Sequence, residues 1–281
     1  MAVPVARKLV APRLIALAAI VASIGITGGA HAKPSAKAAK ATPAKKAKVH
    51  REPKTRMTGP VPWCSEETET LPNGLCYIDG RPKDASPDDR RTLVVFLHGA
   101  IAKDVDWQWL QARALTRQAK QSKFEAIFAR APLGPGGYVW PGTRAAQEAS
   151  EQELIDGWNE ARAFLEKRNG RPYDEVFLMG FSSGAYFISS LVLRGRVDFD
   201  GYAVFAGGAG GIANPDVSNK APVFVGVCAK DSQTAKHSRG FGAALAARGW
   251  PHRVDEQPIG HMFGDVHVAH AVSWLRKQVR K

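Results

Sequence analysis

Val176-Phe177-Leu178-Met179-Gly180-Phe181-Ser182-Ser183-Gly184-Ala185-Tyr186-Phe187 is the stretch on which the architecture turns. The apolar run 176–179 predicts a strand buried on both faces, and the residues from 184 onward predict a helix over 184–194. Between them stands Gly-x-Ser-x-Gly. A turn this sharp forces Ser182 into a strained backbone conformation, and Gly180 and Gly184 avoid side-chain clashes where neighbouring chains pass close. The helix that starts there points free N–H groups and the positive end of its dipole at negative charge developing beside Ser182. In a chain with 27 glycines the bare motif says little. Its place between strand and helix is what gives it weight.

Outward from this point, short apolar or β-branched runs alternate with longer helical patterns. Strands are predicted at 93–97, 126–129, 176–179, 202–205, 223–227 and 253–257, with helices near 106–121, 146–168, 184–194, 235–248 and 265–280. Leu154, Ile155, Trp158, Ala161, Phe164 and Leu165 have the spacing of a helix lying on a sheet. Strand–helix alternation with strands apolar on both faces predicts a three-layer α/β/α sandwich around a mostly parallel sheet. No internal repeat with a period of 20–50 residues is present.

In such sheets, sites form beyond the carboxyl ends of the strands. There Ser182 is the candidate nucleophile. Asp231, after the 223–227 strand, and His261, after the 253–257 strand, are the candidate acid and base. Taken singly, Asp231 reads as a helix N-cap and His261 as a surface histidine; their joint order Ser…Asp…His outweighs this. A tetrahedral oxyanion needs two N–H donors aimed at one point. Ser183 supplies one, and Ala100, in His98-Gly99-Ala100 after the 93–97 strand, is the candidate for the other. His98 itself is expected to brace that loop. Trp107, Tyr138 and Trp140 follow strands at the same edge and are expected at the mouth of a substrate pocket, with packing of the loops as the alternative. Asp265, His267 and His270 have only weak metal-ligand spacing and read as a solvated helix face. No metal or organic cofactor is called for.

His98-Gly99, the Gly180–Gly184 elbow, Asp231 and Gly260-His261 resemble the α/β-hydrolase superfamily over roughly residues 90–281. Within it the chain is similar to small bacterial carboxylesterases of the phospholipase/carboxylesterase group and to polyhydroxybutyrate-depolymerase-like esterases. Gly136-Gly137, within 132–140, resembles the Gly-Gly substrate loop of the former. The chain departs from those carboxylesterases in having Ser183 rather than Gln after the nucleophile, and Cys228-Ala229-Lys230 rather than a Gly-x-x context before Asp231. The resemblance implies a serine hydrolase acting on a small-molecule or polymeric ester. A thioesterase, a peptidase, a feruloyl-type esterase, or an inactive hydrolase-fold binding protein of the cell envelope are the alternatives.

The formal charge of +13 is concentrated at the amino terminus. Residues 1–57 hold twelve Lys/Arg and one acid, leaving 27 bases and 25 acids among the other 224 residues. That distribution argues against a nucleic-acid partner, since no aromatic stacking residues are interleaved with the charge. Arg7, Lys8 and Arg13 followed by an apolar run and Ala30-His31-Ala32 predict a cleavable signal peptide, 1–32, and hence a periplasmic or secreted protein. A disordered Lys/Ala/Pro-rich linker is expected over 33–57, suited to weak electrostatic contact with anionic envelope surfaces, and the catalytic domain over 58–281. Of the three cysteines, Cys64 and Cys76 flank a turn signal at 71–74 and are the expected disulfide, with Cys228 a buried apolar residue; the other two pairings stay open.

Overall fold

The computed structural model describes residues 61–86, 88–209 and 217–280. The expected signal peptide and basic linker lie outside the described residues.

The strand through Ser182's stretch, β8 (Glu175–Phe181), is two residues longer at its carboxyl end than the apolar run suggests. Gly180 still pairs with Leu97 and Val204, and Phe181 with Phe205, so the turn begins only at Ser182. Around β8 the other strands are β1 (Glu69–Thr70), β2 (Cys76–Ile78), β3 (Thr92–Leu97), β5 (Glu125–Phe128), β9 (Gly201–Phe205), β10 (Val223–Cys228) and β11 (His252–Gln257), with spatial order β1-β2-β5-β3-β8-β9-β10-β11. The six from β5 to β11 run parallel. β2 joins antiparallel to β5, and β1 antiparallel to β2. The β1–β2 hairpin has no counterpart in the sequence pattern because its strands are too short to show a period. β11, at the free edge, carries Arg253, Asp255 and Glu256, and charge on an edge strand discourages pairing with another chain.

Helices cover both faces. α2 (Arg144–Asn169), α3 (Ser183–Arg194) and α4 (Ala235–Ala247) supply Ile155, Trp158, Phe187, Leu191, Phe241 and Leu245 to one core. α1 (Trp107–Ser122) and α5 (Asp265–Val279) supply Leu115, Ala119, Val268, Val272 and Leu275 to the other. The period of two along β3 divides its side chains between them. Leu93, Val95 and Leu97 enter the first core, and Val94 and Phe96 the second. This is the three-layer sandwich that the strand–helix alternation predicts. Among the described residues no helix is long and apolar enough to cross a membrane.

A second, small sheet was not foreseen. β4 (Ile101–Ala102), β6 (Leu133–Gly134) and β7 (Gly137–Tyr138) pair antiparallel in the order β4-β7-β6. Gly137, at φ +122°, fits under β4 so closely that a Cβ there would lie 2.1 Å from the Ile101 carbonyl oxygen. Cys64 and Cys76 form the disulfide, tying the start of the described chain to β2. Cys228 is a buried free thiol at the end of β10, and burial raises its pKa.

Candidate active site

Ser182 stands between β8 and α3 with φ 50° and ψ −113°, a conformation that costs a non-glycine residue roughly 1–3 kcal/mol. Its surroundings hold it there. Ser182 N–H donates to the Phe205 carbonyl (2.9 Å), Gly184 N–H to the His98 carbonyl (3.2 Å), and Tyr186 N–H to Ser182's own carbonyl (3.1 Å). The glycines are sterically required. A Cβ at Gly184 would meet the Leu97 carbonyl oxygen at 2.3 Å, and one at Gly180 would meet the Gly184 backbone at 2.8 Å.

The loops after β10 and β11 bring the other two groups in. Ala229 N–H donates to the Gln257 carbonyl (2.8 Å) and Lys230 N–H to that of Ile259 (2.9 Å), so the two loops are tied together. Phe263 anchors the second loop among Phe96, Phe181 and Phe205. His261 then lies with Nδ1 2.6 Å from Asp231 Oδ2 and Nε2 3.0 Å from Ser182 Oγ, its ring beside that of Phe181.

Asp231 is almost fully buried and makes four contacts. Oδ1 accepts the N–H groups of Gln233 (3.0 Å) and Thr234 (3.3 Å), while Oδ2 accepts the Thr234 hydroxyl and faces His261. Burial pushes its carboxyl up. The hydroxyl of Thr234, the His261 ring and the two backbone donors outweigh that and bring it down to about 2. An ionised Asp231 only accepts, so the imidazole proton sits on Nδ1 and Nε2 is free to accept the Ser182 hydroxyl proton. Asp231 is not the helix N-cap, since Thr234 occupies that position; its Oδ1 organises the turn that precedes α4, and its Oδ2 faces His261.

His98 braces the loop after β3. It is fully buried against Trp63, Phe128 and Trp140, its Nδ1 bonds to the Gly99 carbonyl, and its Nε2 accepts Ala131 N–H (3.1 Å). Burial pushes its pKa down to about 4, keeping the ring neutral and able to fill both roles. Gly99 lies against Ser182, since a Cβ there would be 3.3 Å from that of Ser182. Gly99 N–H is taken by Gln111 Oε1 (2.9 Å). Among the described residues the N–H groups of Ala100 and Ser183 have no acceptor, so both candidate donors are free.

The three candidate pocket aromatics separate. Trp140 lines the cavity of about 510 Å³ that opens on Ser182, with its indole N–H on the His98 carbonyl (2.8 Å) and its backbone N–H on Ser183 Oγ (3.2 Å). Tyr138 lies instead on a different cavity of about 1060 Å³, between Leu133 and α2, with its ring against Trp63. Trp107 is half exposed at the start of α1 and lines neither cavity. The reason is the small sheet. Tyr138 is held in β7, paired with Ile101 of β4 and Leu133 of β6 and with its ring against Trp63, whereas Trp140 lies beyond the end of β7. Trp109 packs as a brace, donating its indole N–H to the Pro62 carbonyl (3.1 Å).

Asp265, His267 and His270 diverge as well. Asp265 pairs with Arg117, His270 with Asp255, and His267 is buried against Phe205, contrary to the expected solvated face. No group of three ligating side chains able to hold a metal occurs among the described residues. Thr234 and Gln111 are not among the candidates that the sequence offers. Asp231-Ser232-Gln233-Thr234 carries an Asx-turn signal that points to Thr234, whereas nothing local marks Gln111.

No family model matches the sequence, and no curated protein matches it. Solved structures do match in fold. A carboxylesterase from Mesorhizobium loti is 17% identical, with a TM-score of 0.55 over 75% of this chain and 99% of that one. Esterase PE8 is 22% identical, with a TM-score of 0.51 over 69% and 95% of the two chains. YahD is 18% identical, with a TM-score of 0.50 over 72% and 98%. The chain has the α/β-hydrolase fold.

Proposed function

We propose that the protein is an exported serine hydrolase that cleaves carboxylic esters through an acyl-enzyme. The observation that carries this reading is the continuous relay from Asp231 Oδ2 through His261 to Ser182 Oγ, at 2.6 and 3.0 Å, in a fold shared with a carboxylesterase and an esterase. His261 Nε2 takes the hydroxyl proton as Ser182 Oγ attacks the ester carbonyl carbon. The developing oxyanion is met by the N–H groups of Ser183 and Ala100 at the positive end of α3. His261 then gives its proton to the departing alcohol. Water enters, His261 takes its proton, and the acid leaves from regenerated Ser182. Asp231 stays ionised throughout and stabilises the imidazolium. Burial and a pKa near 4 make His98 a poor rival base, and both its nitrogens are engaged in bracing.

The basic segment 33–57 and the leader 1–32 fit an enzyme that works in the periplasm or outside the cell, with weak attraction to anionic surfaces keeping it near a small-molecule or polymer ester. Labelling with a fluorophosphonate probe tests the reading. Covalent modification of the wild-type protein and none of Ser182→Ala is expected, together with a fall in ester turnover of ~10⁴ or more in the variant. Equal labelling of both proteins, or near-wild-type turnover by Ser182→Ala, overturns it.

A further inference from the structure

The cavity at Ser182 is one-sided. Its walls include Trp140 and Pro141 from the loop after β7, Gln147 from α2, and Ser183, Phe187 and Ser190 from α3; among the described residues none comes from the 258–264 loop that carries His261. In the proposed acyl transfer the alcohol departs toward His261, which must protonate it. The acyl group therefore lies on the opposite side, where this cavity runs.

The cavity changes character along its length. Ser183, Phe187 and Ser190 are spaced i, i+4, i+7 and share one face of α3. Past Ser183 the wall is apolar, formed by the Trp140 and Phe187 rings stacked 5.8 Å apart. Eight residues of helical rise place Ser190 roughly 12 Å from Ser182. At that far end Leu193 keeps one wall apolar, while Ser190 and Gln147 supply polar groups. Ser190 Oγ donates to Gln147 Oε1 (3.3 Å) and accepts Arg194 Nε (3.2 Å), and Gln147 Nε2 donates to the Pro141 carbonyl (3.1 Å). Counting donors and acceptors, one amide hydrogen and one lone pair of Gln147 remain unused, along with one lone pair of Ser190. The remaining nitrogens of Arg194 are turned to Glu151, so its charge is already matched.

Resting on the ester hydrolase reading, we infer that this cavity is the acyl subsite and that Ser190 and Gln147 recognise a neutral hydrogen-bonding group, a hydroxyl, at the far end of a medium-length acyl chain. A plain alkyl end placed there strips water from both side chains and returns nothing, whereas a hydroxyl replaces the lost bonds. An acyl chain too short to reach Ser190 is indifferent to the difference.

The test compares kcat/KM for p-nitrophenyl octanoate, its omega-hydroxy derivative and an omega-carboxy ester of matching length, with p-nitrophenyl butanoate as the short reference. The wild-type enzyme is expected to prefer the omega-hydroxy ester to octanoate by about tenfold, the discrimination of one polar contact at a partly exposed site. In Ser190→Val and in Gln147→Leu that ratio is expected to fall to about one, with thermal melts confirming that each variant is folded. Equal wild-type kcat/KM for the hydroxylated and plain esters overturns the inference without recourse to any variant. So does a preference that survives both substitutions, or one for the carboxylate. If no ester at all is turned over and the fluorophosphonate fails to label Ser182, the hydrolase reading itself falls, and the subsite with it.

Discussion

Replacing Asp231 by Asn removes one charge and reverses two hydrogen bonds, those from His261 and from the Thr234 hydroxyl. The two backbone donors on Oδ1, from Gln233 and Thr234, hold the oxygen of the new amide where it is, because turning it away orphans both N–H groups. The amide nitrogen then occupies the place of Oδ2 and presents a donor to His261 Nδ1. His261 must switch tautomer, its Nε2 becomes protonated, and it loses the ability to accept the Ser182 proton across 3.0 Å. The expected consequence is a fall in kcat of ~10⁴ at neutral pH, the known penalty for a triad base in the wrong tautomer. Stability changes less. The displacement of the Asp231 pKa from 3.8 to about 2 corresponds to ~2 kcal/mol of preference for the carboxylate, roughly a 5 °C loss of Tm in a domain of this size. Because the folded pKa is depressed, that contribution is present above about pH 4 and is lost as pH falls through about 2. The Tm gap between wild type and Asp231→Asn should therefore be full at pH 7 and close near pH 2. Steady-state hydrolysis of a p-nitrophenyl ester and thermal melts monitored by circular dichroism measure both effects. A folded Asp231→Asn enzyme within tenfold of wild-type kcat refutes the assignment of Asp231 as the orienting acid.

Two further outcomes follow from the loops around Ser182. Gly184→Ala places a Cβ 2.3 Å from the Leu97 carbonyl, so about 1–3 kcal/mol of destabilisation and a displaced nucleophile are expected, while Gly142→Ala, with nothing within 4 Å, should leave the melting temperature within a degree or two. Identical melts for the two variants contradict the tight elbow. His98 is buried neutral, with its pKa lowered from 6.5 to about 4, so the unfolded chain binds a proton more readily than the folded one between those values. Stability is expected to fall by about 3 kcal/mol as pH drops from 6.5 to 4, and His98→Gln should remove that share. Urea midpoints measured across the window decide it, and an undiminished loss in the variant excludes His98 as the source.

The layered sheet and the positions of Ser182, Asp231 and His261 at its edge were legible in the linear chain because they are written in local patterns. Runs such as 93–97 and 176–179 are apolar at every position and so call for burial on both faces, and the glycine pair around Ser182 marks a sharp turn from such a strand into a helix. These signals act within a few residues and survive without knowledge of the rest. The substrate side was not legible. Trp107, Tyr138 and Trp140 look alike on paper, but a small sheet of two-residue strands sends each to a different environment, and strands that short have no period to read. The Cys64–Cys76 disulfide is the pairing expected across the turn signal at 71–74, but Gln111 beneath Gly99 and Gln147 beside Ser190 are not legible in the chain. Both glutamine contacts join different elements, and only the packing of α1 and α2 against the sheet and α3 determines which side chains meet.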